Sequence, residues 1–138
     1  MNPSAITVHC TVNAPIEKVW DYWTQPKHIV NWSFASDDWE APSAENDLRV
    51  GGKFKTVLAA KDKSTQFDFE GVYTAVQPHA LIEYTMADDR HVKVMFSQTP
   101  EGVHLIETFD PEQTNPAELQ RAGWQAFLDN FKKYTEKS

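Results

Sequence analysis

The C-terminal stretch of the chain constrains the fold most, because it predicts a long helix with an unusually wide apolar arc. Asn115 is a suitable N-cap residue, Pro116 suits the first helical position and Glu118 completes a capping box. At about 100° per residue, the apolar side chains cover roughly half of the helix circumference, which is wider than a surface helix needs. They are Leu119, Gly123, Trp124, Phe127, Leu128, Phe131 and Tyr134. We therefore expect this helix to lie across a large concave surface formed by the rest of the chain.

Two further features of this helix lead to expectations. Polar and charged side chains fall on the face opposite to the apolar arc, namely Arg121, Gln125, Asp129, Lys132, Lys133 and Glu136. Gly123 lies on the apolar arc, although a glycine inside a helix costs up to about 1 kcal/mol relative to alanine. We expect a steric reason for Gly123, either the close approach of another element or a ligand, and the alternative is tolerance by chance.

The length and composition of the chain exclude several classes of protein. With 138 residues, the chain is expected to form a single domain over residues 1–138. Its net charge of −7 argues against nucleic acid as a partner, because phosphate binding needs a basic surface. From the N-terminal residues we expect no signal peptide, no stretch is apolar enough to predict a membrane span, and Cys10 is the single cysteine. We therefore expect a cytoplasmic protein that has no membrane partner.

The N-terminal half predicts one strand and two short helices. Residues 6–12 alternate between apolar and polar side chains, which is typical of a half-buried strand. A helix is predicted over residues 16–24, and Pro26 begins a second short helix that ends near Trp32. Residues 33–47 are polar and acidic, and we expect them to be irregular.

The middle of the chain predicts a series of β-hairpins whose register can be argued. Loops at 61–64, 77–80, 87–89 and 99–102 bring side chains of adjacent strands opposite one another. The predicted pairs include Leu58 with Phe67, Thr56 with Phe69, Phe54 with Gly71, Tyr73 with Tyr84, Ala75 with Ile82, Ile82 with Val94, and Val94 with Glu107. All four hairpins place the apolar residues on the same face. The predicted fold class is α+β, a curved antiparallel sheet wrapped around the long C-terminal helix.

Glu107 is the exception on this apolar face. A buried carboxylate without a partner is costly, so Glu107 is expected to pair with a cation such as Arg49, to stay protonated, or to face a wet cavity. Tyr73, Tyr84 and Thr56 offer further polar groups on the same face.

Recognisable catalytic constellations are lacking. Gly51-Gly52 does not have the spacing of a phosphate-binding loop, and the five histidines fall in different elements without metal-ligand spacing. Cys10 has no obvious base beside it and is expected to be an inert, buried thiol. We therefore predict no catalytic residue, no metal and no cofactor.

Several segments resemble a known family. Residues 14–26, closing at Asn31-Trp32, look like the opening of the START-like (SRPBCC) helix-grip superfamily. The Arg49-Val50-Gly51-Gly52 sequence is similar to a hairpin start in the branch named after the activator of heat-shock protein 90 ATPase. Further likenesses to this branch are Phe69-Glu70-Gly71-Val72-Tyr73 with Pro78 and Leu81, and Gly123-Trp124 with Leu128 and Phe131. The resemblance covers about residues 5–135 and implies a β-α-α-β6-α helix-grip fold around a cavity.

Function is less constrained, because it depends on the site rather than on the scaffold. The leading hypothesis is a non-catalytic protein that binds a small hydrophobic molecule between the sheet and the last helix. One alternative is a cyclase- or dehydratase-like enzyme with Glu107 as general acid or base and Tyr73 or Tyr84 positioning a carbonyl. Another is a co-chaperone-like interaction module, and a protein partner or a homodimer stays open. The predicted ligand-binding residues are Trp32, Phe54, Thr56, Phe69, Tyr73, Tyr84, Val94, Glu107, Trp124, Phe127 and Phe131.

Overall fold

The structure, a computed structural model, describes residues 4–137. These residues form seven strands and three helices. In chain order they are β1 (Ile6–Val12), α1 (Ile16–Thr24), α2 (Pro26–Ile29), β2 (Trp39–Asn46), β3 (Lys53–Ala60), β4 (Gln66–Gln77), β5 (Leu81–Met86), β6 (His91–Thr99), β7 (Gly102–Phe109) and α3 (Ala117–Lys137). The strands form one curled antiparallel sheet in the order β1-β7-β6-β5-β4-β3-β2. This α+β architecture confirms the predicted helix-grip fold.

The predicted register of the hairpins is confirmed with one correction. The pairs Leu58–Phe67, Ile82–Val94 and Val94–Glu107 form as expected. The pairing of Ala75 with Ile82 is wrong, because Ala75 faces Glu83 and a bulge after Tyr73 inserts one extra residue into β4. The backbone of Tyr73 bonds at the same place to the turn before β3, since Gly51 N donates to Tyr73 O at 2.9 Å and Tyr73 N donates to Gly52 O at 3.0 Å.

The segment 33–47 is more ordered than expected, because its second half forms strand β2. This strand lies at the edge of the sheet, pairs with β3 and shifts its register between Glu40 and Ser43. Pro42 lies within the shift, where a residue that has no backbone N–H does not interrupt a regular ladder. β2 is the first of the six strands that follow the two short helices, so the structure contains all six strands that the family resemblance implied, one more than the strand patterns predicted.

The polar face of α3 covers the free edge of β1 rather than facing only solvent. Side chains on this face bond to backbone atoms of β1 and the residue after it, at distances between 2.5 and 3.0 Å. The pairs are Arg121 with Thr7 O, Gln125 with His9 O, Lys132 with Thr11 O, and Glu136 with Asn13 N. An edge strand otherwise exposes unpaired backbone groups, so these contacts both close the edge and orient the helix. They turn the apolar arc of α3 towards the concave side of the sheet.

The start of α3 differs from the predicted capping box of Asn115 and Glu118. The Asn115 side-chain amide donates to the Glu112 carboxylate. Gln120 ties this segment to the helix, because its Nε2 donates to Asn115 O at 2.8 Å and its Oε1 accepts from Glu112 N at 2.8 Å. Neither predicted capping contact appears among the hydrogen bonds of the described residues, and Gln120 holds the first turn instead.

Aromatic packing forms the core between α3, α1 and the sheet. The Phe131 ring is fully buried, and its centroid lies 4.9 Å from the rings of both Trp23 and Trp32. Leu128 is fully buried beside it, whereas Leu119, near the start of α3, is 60 % exposed. Among the described residues, no helix combines the length and the apolar character needed to cross a membrane.

Candidate ligand cavity

A cavity of about 360 Å³ lies between the concave face of the sheet and the N-terminal half of α3. Its floor is formed by side chains of β3, β4, β5 and β7, and its roof by Gly123, Trp124 and Phe127. The segment after α2 and the end of β2 close one side. The cavity is therefore located where the sequence predicted one, beneath the aromatic arc of the last helix.

The floor is a layer of aromatic rings. Phe54 is at its centre, with ring centroids 4.7 Å from Tyr84, 5.3 Å from Tyr73 and 5.5 Å from Phe69. Gly71 makes this position available, because a Cβ at that residue would lie 2.9 Å from the Phe54 ring. The glycine in β4 thus lets the Phe54 ring lie flat across the neighbouring strand.

Gly123 opens the roof of the cavity. A Cβ built on Gly123 would meet no atom within 4 Å, so the expected close approach of another element is wrong. Gly123 instead faces the empty space of the cavity. Of the explanations expected for this glycine, room for a ligand and tolerance by chance both agree with the structure.

Glu107 points from β7 into the cavity, opposite Val94 of β6, as the register predicted. It is only 4 % exposed, and this burial raises the pKa of its carboxyl group to about 8. The expected pair with Arg49 is wrong, because Arg49 is 70 % exposed and bonds to Asp47 at 3.0 Å. The Glu107 carboxylate has no hydrogen bond or ion pair within residues 4–137.

The two tyrosines on the floor have different roles. The Tyr73 hydroxyl donates to Asn46 Oδ1 at 2.5 Å, and Asn46 in turn donates to Thr24 O at 2.7 Å, so Tyr73 fastens β2 and α1 to the sheet. Tyr84 is buried near Glu107, and the pKa of its hydroxyl is raised by burial first and by the neighbouring carboxylate second. A protonated phenol and a carboxyl group therefore lie together at one place on an otherwise aromatic surface.

Most of the predicted site residues lie together on the cavity lining. These are Trp32, Phe54, Thr56, Phe69, Tyr73, Tyr84, Glu107, Trp124 and Phe127. The structure places Val94 and Phe131 elsewhere, because both are fully buried by neighbouring side chains and have no surface on the cavity. Inward orientation is shared by core and cavity residues, so alternation alone does not separate them.

Sequence reasoning missed part of the lining. Trp23 and Ile29 of the short helices contribute to it, as do Glu45 and Asn46 of β2. Recognition of β2 as a strand would have identified the last two, since they precede the turn into β3. Arg90 comes from the turn between β5 and β6, for which no periodic signal exists.

The remaining reactive groups lie outside the cavity or lack metal geometry. Cys10 packs beneath α3, with its Sγ 3.9 Å from Leu128 O, and burial raises the pKa of its thiol to about 12. Within residues 4–137, no group of three or more histidine, cysteine and acidic side chains is arranged to hold a metal ion. Glu107 is thus the ionisable group that deserves a chemical explanation.

A curled antiparallel sheet that grips a long C-terminal helix around a cavity defines the START-like, or SRPBCC, helix-grip class. The chain belongs to the AHSA1 family, since residues 13–136 match the family described as Activator of Hsp90 ATPase homolog 1-like protein. A comparison with curated protein sequences gives no match.

Solved structures of related proteins agree with this membership. The chain is similar to an AHSA1-like protein from Aeromonas hydrophila, with 41 % identity, a TM-score of 0.91 and coverage of 96 % of this chain and 92 % of that one. It is also similar to Chr148 from Cytophaga hutchinsonii, with 54 % identity, a TM-score of 0.84 and coverage of 97 % and 93 %. Protein CV1439 from Chromobacterium violaceum is 25 % identical with a TM-score of 0.86, and 97 % of this chain and 99 % of that one are covered.

Proposed function

We propose that the protein binds a small, largely hydrophobic molecule in the cavity beneath α3. The observation that carries this proposal is the Gly123 opening above the aromatic floor, where space of about 360 Å³ is left beside a buried carboxyl group. Small-molecule sites have volumes of roughly 300–1,000 Å³, with mostly apolar walls and a few oriented polar groups. The cavity agrees with this description in size and in chemistry.

The apolar walls supply affinity and the polar groups supply orientation. Burying apolar ligand surface against Phe54, Phe69 and Trp124 contributes roughly 25 cal/mol per Å² removed from water. The Glu107 carboxyl group and the Tyr84 hydroxyl make no hydrogen bond in the described chain, so a ligand that bonds to them gains contacts without breaking protein hydrogen bonds.

The test fills the cavity from its roof. We expect Gly123→Leu to occupy the space and to abolish ligand binding while the fold is kept, because the new side chain points into empty volume. Ala122→Leu is the matched control, since Ala122 is the adjacent exposed residue of α3. Binding is measured by NMR shift mapping against a library of lipids and apolar metabolites. A ligand that binds wild type and Gly123→Leu equally would refute the cavity as its site.

A second function is favoured by the chemistry of Glu107. A carboxyl group whose pKa is about 8 exchanges protons readily near neutral pH, as a general acid or base must. In that case the cavity is an active site of cyclase or dehydratase type, and Tyr84 orients a substrate carbonyl. Glu107→Gln would then eliminate turnover of a bound compound without eliminating its binding. Equal turnover in both proteins would refute this function.

A further inference from the structure

The charged groups of the cavity lining are mainly acidic. Glu45, Glu107 and Glu112 face the cavity from β2, β7 and the segment before α3. Arg90 is the single basic residue among the lining residues of the described chain, and its Nε lies 2.7 Å from Asp88 Oδ2. Arg90 is therefore paired within its own turn, although its charge still acts on the Tyr84 hydroxyl, and acidic residues outnumber basic ones on the lining by three to one.

Several aromatic rings line the cavity that contains Glu107 or pack directly behind its lining. Phe109, two residues further along the same face of β7, stacks on Trp124 at a centroid distance of 4.0 Å and an angle of 8°. Phe69 connects this stack to the other side, with centroids 6.1 Å from Trp124 and 6.2 Å from Tyr84. Glu107 lines the same cavity as Phe69, Tyr84 and Trp124, and its carboxyl group is close enough to Tyr84 to raise the pKa of the tyrosine hydroxyl.

A carboxylate in a cavity lined by aromatic rings suits one ligand class better than others. The ring faces are negative and attract a cation within about 6 Å of the centroid. A carboxylate that is removed from water without a partner is costly, and a ligand cation offsets that cost directly. Resting on the ligand-binding function proposed above, we propose that the ligand is a hydrophobic organic cation whose ammonium group lies between Glu107 and the rings of Tyr84 and Trp124.

The proposal predicts a pH dependence that can be assigned to Glu107. In the empty cavity, burial raises the pKa of Glu107 to about 8, and a bound cation lowers it again. Tyr73, Tyr84 and Cys10 stay protonated below about pH 9, because burial raises the pKa of each. The other charged groups facing the cavity are Glu45, Glu112 and Arg90, and none of the described lining residues is a histidine. Cation binding should therefore strengthen as the pH rises through the pKa of Glu107.

The experiment compares benzyltrimethylammonium with neopentylbenzene, its neutral isostere, by NMR titration between about pH 6 and pH 9. For wild type, we expect the affinity for the cation to increase by more than about tenfold over this interval. The neutral compound should show no such increase. Glu107→Gln should weaken cation binding by at least about tenfold at the upper pH and remove the pH dependence. Glu83→Gln removes the same charge from the outer face of β5, and this variant should retain both the affinity for the cation and its pH dependence.

The outcomes separate this inference from the function on which it rests. In one outcome, neopentylbenzene binds to wild type but not to Gly123→Leu, and the cation either does not bind or binds equally to Glu107→Gln. This outcome would overturn the proposed cationic ligand and would still support the binding of a hydrophobic ligand. Affinity for 4-phenyl-2-butanone that falls as the pH rises would identify protonated Glu107 as a donor to a carbonyl, and it would overturn the cation if the affinity for benzyltrimethylammonium did not rise over the same interval. Failure of all three compounds and of the ligand library to bind would overturn both proposals.

Discussion

Replacement of Glu107 by glutamine tests whether the carboxyl group is as strongly desolvated as its position implies. Its pKa is about 8 in the folded protein, against an ordinary value of 4.5. Between these two values the folded state binds a proton that the unfolded state has released. The contribution of protonated Glu107 to the free energy of unfolding is therefore fully present below about pH 4.5 and is lost as the pH rises to about 8. At about 1.4 kcal/mol per pH unit, this interval sets an upper bound of about 5 kcal/mol on the loss.

Glutamine has nearly the same shape as glutamate but does not ionise, so the Glu107→Gln variant does not lose stability in this way as the pH rises. The free energy of unfolding is measured by urea denaturation of both proteins from about pH 5 to about pH 9. We expect the variant to become more stable relative to wild type across this interval, by several kcal/mol, and the difference to level off above about pH 8. Glu83→Gln on the outer face is the control and should give a constant difference. Parallel curves for wild type and Glu107→Gln would mean that Glu107 is hydrated or paired, and the reasoning from burial would be refuted.

Four further substitutions test the packing around the cavity by urea denaturation. Phe131→Ala should lower the free energy of unfolding by about 3–5 kcal/mol because its ring is fully buried. Trp124→Ala should lower it less but should weaken ligand binding, because Trp124 lines the cavity. Equal losses in the two variants would contradict the division between core and lining. Gly123→Ala should stabilise the protein by up to about 1 kcal/mol, since its methyl group meets no atom within 4 Å, and destabilisation would show that the roof is not open. Gly71→Ala should destabilise the protein, because its Cβ would lie 2.9 Å from the Phe54 ring, and unchanged stability would contradict this close approach.

Strand register could be predicted because, in every hairpin, the alternation of apolar and polar side chains places the apolar ones on the same face of the sheet. A shift by one residue would have exposed Leu58 and Ile82 while turning charged residues such as Lys55 and Glu83 inward, so only one register agreed with the sequence. The argument failed at Ala75, where the bulge restarts the alternation within β4. The bulge coincides with the backbone bonds of Tyr73 to Gly51 and Gly52, and such a contact between distant segments leaves no periodic trace.

Strand β2 and the polar face of α3 could not be predicted for a related reason. β2 is an edge strand that contains Pro42, and its pairing with β3 comes from backbone groups rather than from an alternating apolar face. Arg121 and Lys132 belong to a face that amphipathicity assigns to solvent, although the free edge of β1 attracts their donors. In both cases backbone hydrogen bonding decides the structure, and side-chain patterns describe it only indirectly.

Some residues that line the cavity differ from core residues in that they do not fit the local preferences of their helix or strand. Val94 and Phe131 satisfy every local preference of a strand and a helix, and both are packed out of reach of the cavity. Glu107 and Gly123 each violate a local preference, one as a carboxyl group on an apolar face and the other as a glycine inside a helix, and both face the cavity. Sequences that fold well are locally consistent, and departures concentrate where function requires them. Among the inward-facing residues of this chain, such a departure therefore indicates the cavity lining better than hydrophobicity does.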